Sequence, residues 1–239
     1  MKLKKLIGAL AAVTLAAPGV ALATNGYFSH GFGMKAIGMG GAAIALPQDA
    51  IAAASNPAGM AMLGNRVDFG VNWFNPSGRE ATIVGSPAPF NNTSYYGDEK
   101  SNFFVPEFGV NWKLRPDLAL GVTVYGNGGM NTDYAGDQIP VQSACGQFRG
   151  GQGAPYNLLC GSGSLGVDLM QLIIAPYVSW QFTKGHSIGI APLIGYQRFE
   201  ANGLQAFDNP FLSTSPGSVT NRGYDDSWGV GVRVGYMGQ

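Results

Sequence analysis

The stretch Leu165-Gly166-Val167-Asp168-Leu169-Met170-Gln171-Leu172-Ile173-Ile174-Ala175-Pro176-Tyr177-Val178-Ser179-Trp180-Gln181-Phe182 decides the fold class. Read in steps of two, one set is Met170, Leu172, Ile174, Pro176, Val178, Trp180 and Phe182. The other is Leu169, Gln171, Ile173, Ala175, Tyr177, Ser179 and Gln181. Successive side chains of a strand point to opposite faces, so this is a strand with one apolar face and one partly wet face. The next segment repeats the arrangement, with Ile188, Ile190, Pro192, Ile194 and Tyr196 set against Ser187, Gly189, Ala191, Gly195 and Gln197. Only Thr183-Lys184-Gly185-His186 separates the two, which is a tight turn.

Four further segments fit the same template. Val67, Phe69, Val71 and Trp73 alternate with Asp68, Gly70 and Asn72; Phe104, Pro106, Phe108, Val110 and Trp112 alternate with Glu107, Gly109, Asn111 and Lys113. Leu118, Leu120, Val122 and Val124 alternate with Ala119, Gly121 and Thr123, and Trp228, Val230, Val232, Val234 and Tyr236 alternate with Gly229, Gly231, Arg233 and Gly235. Six strands are therefore predicted. A soluble β-sandwich also needs one apolar face per strand. Here, however, the second face is Gly, Ala, Ser, Asn and Gln, with few of the Lys and Glu residues that water-exposed faces carry, and this favours a transmembrane antiparallel β-barrel.

The start of the chain supports an exported protein. Lys2, Lys4 and Lys5 precede an apolar run from Leu6 to Leu22 that closes on Ala21-Leu22-Ala23, the pattern of a cleavable secretory signal over 1–23, with cleavage before Thr24. Pro18 and Gly19 break the run, which is short for a bilayer about 30 Å thick. The mature chain has no run of eighteen apolar residues, so it would cross a membrane only as strands. With 12% charged residues and formal net charge +0, the chain lacks the electrostatic footprint of a nucleic-acid binder. The expected location is the bacterial outer membrane, as a multi-pass β-barrel in contact with outer-membrane lipid.

Connector lengths predict the orientation. Arg115-Pro116-Asp117 and 183–186 are short, whereas 77–101, 128–164 and 203–226 are long and rich in Gly, Pro, Ser and Asn. Outer-membrane barrels keep short turns on the periplasmic side. Trp112, Trp180 and Phe182 fall just before those turns, where an interfacial aromatic girdle would lie. Cys145 and Cys160 both lie in the second long connection. In an oxidising compartment a disulfide closing about 15 residues stabilises by roughly 3 kcal/mol, and two free thiols are the alternative.

Residues 24–65 are not strand-like. They contain Phe28, Phe32, Met34, Met39 and Gly38-Met39-Gly40-Gly41, then a helix-prone run from Gln48 to Ser55 with Pro47 and Asp49 placed for its first turn. Pro57 biases Asn56 away from helical geometry and should end that helix. This segment is either a small amphipathic helix packed on a sheet or an N-terminal hatch (plug) inside a barrel whose strands occupy 66–239.

The order Phe28-Ser29-x-Gly31-x-Gly33, Gly38-x-Gly40-Gly41-Ala42, Asp49-Ala50 and Asn56-Pro57-Ala58 resembles the hatch of the FadL/TodX family of outer-membrane transporters. Val105-Pro106, Tyr125-Gly126-Asn127-Gly128-Gly129, Tyr196-Gln197-Arg198-Phe199 and Phe207 agree with it. The resemblance implies a fourteen-stranded barrel of which this chain supplies about six strands, and so the N-terminal portion of a longer protein or a truncated gene. It further implies uptake of long-chain fatty acids or aromatic and aliphatic hydrocarbons by loop capture, lumen binding and lateral release at a kink in strand three, by a protein that is monomeric when full length and uses no cofactor or metal.

By the same resemblance Asn56, Pro57 and Ala58 are ligand-binding hatch residues with Asn56 next to the wall opening, and Gly128 and Gly129 mark the kink; alternatively Gly126 to Gly129 simply begins a loop. Phe28, Phe32, Met34 and Met39 are candidate pocket residues or plain packing between plug and wall. Arg198, the basic residue of strand five, has lipid-facing parity, and Gln205-Ala206 stands near Phe207 where some family members carry a base, which leaves uncharged hydrocarbons open as substrates. The rival functions are a general diffusion porin, which would need opposed charges in its lumen, and an outer-membrane lipid hydrolase. His30 and His186 are the only histidines, and neither accompanies a nucleophile elbow.

Overall fold

The computed structural model describes residues 28–84, 93–140, 143–149 and 155–238. The leader expected at 1–23 and its cleavage point lie outside them. Six strands form one antiparallel sheet in the order β1 (Arg66–Phe74), β4 (Phe103–Arg115), β5 (Leu118–Tyr134), β6 (Leu165–Thr183), β7 (His186–Asn202) and β8 (Asp225–Gly238). These are the six strands that the alternation predicts. A separate hairpin, β2 (Glu80–Ile83) with β3 (Thr93–Tyr96), lies within the first long connection. The segment before β1 touches all six strands on one face, so the sheet must curl around it.

Side-chain parity follows the period-two pattern. Along β7, Ile188, Ile190, Pro192 and Ile194 are exposed on the outer face while Ser187, Gly189 and Ala191 are buried on the inner one. On β6, Val178, Trp180 and Phe182 are exposed and Ala175, Tyr177 and Ser179 buried. The outer face is thus a continuous apolar band with an aromatic rim at each end. Trp112, Trp180, Phe182 and Tyr236 stand at the short-turn end, and Trp73, Phe104, Tyr196 and Trp228 at the other. From His186 to Tyr196 a strand rising about 3.3 Å per residue covers roughly 33 Å, which a tilt of about 40° projects to about 25 Å, the height of a lipid-facing band.

The inner face is built for close approach. A Cβ on Gly189 would lie 2.5 Å from the Ala58 nitrogen, and one on Gly109 would lie 2.7 Å from the Ala50 carbonyl carbon. These glycines let the N-terminal backbone lie directly on the wall. The resulting core contains Ala52, Ala53, Ala54, Met60, Tyr125, Ala175, Tyr177 and Ala191.

The structure departs from expectation in three places. The helix predicted from Gln48 to Ser55 is a single 3₁₀ turn, Ala50–Ala54, followed by a second 3₁₀ turn, Pro57–Met62. Asp49 caps the first by accepting from the Ala52 N–H at 3.0 Å, and extended backbone at Asn56 (φ −147°) before Pro57 stops it before a longer helix can form. A one-turn helix, Met34–Gly38, was not anticipated. Finally, β5 does not end at Gly128-Gly129 but continues to Tyr134, because a bulge at Asn127 lets its pairing with β6 resume at Gly128.

Candidate functional site

The inner face carries three anchors for the N-terminal segment, each from a different part of the wall. On β4, the buried Glu107 carboxylate accepts the Gly33 N–H through both oxygens, at 3.0 and 3.1 Å. At the centre, Tyr177 donates its hydroxyl to Asn111 Oδ1 (3.0 Å), and Asn111 Nδ2 donates to the carbonyls of Met60 (3.2 Å) and Gly64 (3.0 Å). Ser179 and Ser187 both donate to the Ala58 carbonyl, at 2.9 and 2.7 Å. On β8, Arg233 donates to the Ala54 carbonyl and to the Tyr125 hydroxyl (2.9 Å), with its guanidinium 5.8 Å from the Tyr125 ring centre. Buried polar groups placed in this way hold one register of plug on wall, since an unmet partner would be costly.

The sequence-selected residues distribute unevenly over this arrangement. Phe32 stacks on Tyr125 with centroids 4.5 Å apart and joins the core. Phe28, Met34 and Met39 are exposed; Met34 lies against Gly70 of β1, and Met39 Sδ accepts from Gln48 Nε2 at 2.9 Å. Asn56, Pro57 and Ala58 are buried against β6, β7 and β8, whereas Gly128 and Gly129 lie on β5. Arg233 has no counterpart among the candidates, although its parity, opposite to Val232 and Val234, marks it as inward-facing.

The ladder between β4 and β5 stops short of the strand ends and leaves an unpaired stretch, termed the slot. Their ladder runs from Arg115 paired with Leu118 up to Phe108 paired with Val124, and there it ends. Beyond that point β4 pairs only with β1, and β5 pairs with β6 alone until Asp133, which bridges to Asp98. Pro106 has no N–H to extend the ladder, and the bulge at Asn127 bends β5. At the slot's inner corner the Val105 side chain packs over Gly126, where a Cβ would sit 3.8 Å from Val105 Cβ. Its outer end is closed by the hairpin segment: Asp133 N–H donates to Gly97 (3.0 Å), and Arg79 donates to Asn131 and Lys100 carbonyls. Gly128 and Gly129 lie along this slot, paired on the β6 side with Gln171 and Met170.

Above the core, toward the long connections, a concavity of about 210 Å³ opens on the inner face between Asn127, Gln171, Ile173, Gln197 and Ser227. The long connections themselves form a second small core. A disulfide joins Cys145 to Cys160, next to Tyr95, Ile139 and Tyr156.

The outer face is different in character. Arg198 points away from the inner face, 3.9 Å over the Tyr224 ring and 3.8 Å from Asp226. At the opposite rim Asp117 accepts from Trp180 Nε1 (3.2 Å) and Arg115 (3.0 Å). Slight desolvation pushes the Asp117 carboxyl up, but hydrogen bonds from its own backbone, Trp180 and Arg115 outweigh it and hold the group below its usual range. Among the described residues no group of His, Cys, Asp and Glu could hold a metal ion, and no helix is long and apolar enough to cross a membrane.

No family model matches the chain, and no curated protein matches it. Among solved structures, the crystal structure of a Pseudomonas aeruginosa FadL homologue is similar to this chain at 14% identity and a TM-score of 0.45, over 81% of this chain. The chain spans 45% of the length of that structure.

Proposed function

We propose that the chain forms part of an outer-membrane conduit for hydrophobic molecules. Residues 24–65 act as its hatch and 66–239 as its wall. Ligands are caught by the long outer connections, held on the inner face above the hatch, and released sideways into lipid through the β4–β5 slot. The ligands are long-chain fatty acids or similar apolar compounds, and no bond is made or broken.

The observation that carries this reading is the one-sided pairing of β5 between Val124 and Asn131, within a wall whose outer face is an apolar band. A strand in lipid with unmatched N–H and C=O groups is costly. Such a gap is tolerable where something other than a neighbouring strand occupies it, and a passing apolar molecule framed by Pro106, Gly126 and Gly129 fits. Binding strength would come from apolar contact, at about 25 cal/mol per Å² removed from water. A diffusion porin is disfavoured because the hatch backbone lies against the inner wall and the inner face carries few charges.

A reversible stitch tests the slot. Val105→Cys with Gly126→Cys places two Cβ atoms 3.8 Å apart, within the range for a disulfide. Oxidised, this variant should lose uptake of a long-chain hydrocarbon or fatty acid by more than about tenfold and regain it on reduction, with reduced wild type as the control for Cys145–Cys160. Gly129→Arg should obstruct the same slot without preventing assembly. Unchanged uptake in both variants would remove lateral release through the slot.

A further inference from the structure

The concavity above the hatch is lined by amides, and their hydrogen bonds run in one direction. Asn127 Nδ2 donates to Gln171 Oε1 at 3.3 Å, and Gln171 Nε2 donates to Gln197 Oε1 at 2.5 Å. The three residues come from β5, β6 and β7, and Asn127 is the bulge residue itself. Gln171 and Gln197 are direct partners in the β6–β7 register. The ladder ends with unused capacity on both sides: Asn127 Oδ1 still accepts and Gln197 Nε2 still donates, neither having a partner among the described residues. A chain of aligned amides polarises its ends, which strengthens whatever hydrogen bond they make next.

We propose that Asn127, Gln171 and Gln197 form a headgroup site for an uncharged hydroxyl on an otherwise apolar molecule; this rests on the conduit reading above and narrows its ligands from fatty acids and similar apolar compounds to uncharged, hydroxyl-bearing ones. The hydroxyl both donates and accepts, so it can meet either open end of the ladder. Ile173 and Gly195 in the floor, with Leu193 and Phe32 beyond them in the core, receive the first carbons of the tail. A volume of about 210 Å³ holds a head and a few carbons, not a whole long chain. The rest of the tail would extend toward the slot, which begins at the same bulge.

The charge environment selects against a carboxylate here. No cationic side chain lines the concavity. Arg233 is engaged by the Ala54 carbonyl and the Tyr125 hydroxyl, and Arg198 faces outward with Asp226. An anion placed among amides with no cation loses hydration that nothing restores, whereas a neutral hydroxyl loses less and regains the hydrogen bond that an open end of the ladder offers.

The test uses the full chain reconstituted in phosphatidylcholine vesicles and dodecan-1-ol carrying a diazirine near the hydroxyl. Photolabelling should map to peptides bearing Gln171 and Gln197. Excess dodecan-1-ol should protect about tenfold better than dodecanoate. Gln171→Leu and Gln197→Met should each lose the protected label by about fivefold; the second sits at the open end of the ladder and disturbs packing least. Equal protection by dodecanoate, or wild-type labelling in both variants, overturns the headgroup site. Failure of wild type to accumulate dodecane would instead overturn the conduit reading and leave the labelling result standing on its own.

Discussion

Asn56 Nδ2 donates to the carbonyl of Tyr236 at 3.2 Å, joining the N-terminal segment to the last strand across a separation of 180 residues. The same nitrogen donates to Ile44 at 3.1 Å, and Asn56 Oδ1 accepts from the Ala58 N–H at 3.0 Å. One side chain therefore caps the second 3₁₀ turn, folds residues 44–56 into a loop and pins both to β8. A carboxylate in this position keeps the cap and loses the donor.

Asn56→Asp should accordingly loosen the segment from β8 while leaving the 3₁₀ turn capped. Leaving these part-buried carbonyls unmet costs about 1 kcal/mol, at the low end for a lost partner. Limited proteolysis should cut residues 28–65 several times faster than in wild type, with cleavage of the wall strands unchanged. Equal rates would mean that this joint does not hold the segment.

Close approach makes a second, steric prediction. Gly189→Val places a branched side chain where the Pro57 carbonyl carbon is already 2.5 Å from the Cβ position, and backbone cannot move aside cheaply. Gly38→Ala has nothing within 4 Å and serves as the control. The first substitution should cost about 1–3 kcal/mol or more in thermal stability and expose the segment to protease, and the second should be neutral.

At the short-turn rim, Asp117 and Trp180 make a pH-sensitive pair. The Asp117 carboxyl titrates below its usual range in the folded state, so its contribution is present above the unfolded value near 3.8 and is lost as pH falls through the lower folded value. Trp180 emission should therefore shift at a midpoint below 3.8 and lose that step in Asp117→Asn. A midpoint at or above 3.8 would contradict the hydrogen bonds seen here.

The disulfide braces a loop and not the wall. Closing 15 residues contributes roughly 3 kcal/mol to the order of that loop by restricting its unfolded forms. Cys145→Ser with Cys160→Ser should speed proteolysis within 135–164 and leave hydrogen-exchange protection of β6 and β7 unchanged. Loss of protection in those strands would show that the loop core of Tyr95, Ile139 and Tyr156 supports the sheet.

How much of this was legible beforehand depends on the range of the interaction. The outward set Ile188, Ile190 and Ile194 and the buried set Ser187, Gly189 and Ala191 could be read directly, because the two faces of a strand are set by the residue's own parity. The six strands of the main sheet and the all-β class followed from the same local rule, whereas the β2–β3 hairpin lay in a stretch expected to be a connection. The first 3₁₀ turn was expected as an α-helix because alanine-rich propensity favours one, and the second, Pro57–Met62, was not foreseen; only the space between opposed strands decides the tighter form. Arg233 was visible as an inward-parity base, but its engagement with Ala54 and Tyr125 depends on where β8 lies.

By itself the sequence determined the alternation, the aromatic rims and the small residues of the inner face, since each depends on side-chain identity along one strand. Tertiary structure alone decided the slot between β4 and β5 and the amide ladder across β5, β6 and β7. Both arise from register, which is a relation between strands. The β4–β5 ladder ends where it does only because of how the two strands are aligned, and Gln171 meets Gln197 only because those two residues face each other across a ladder.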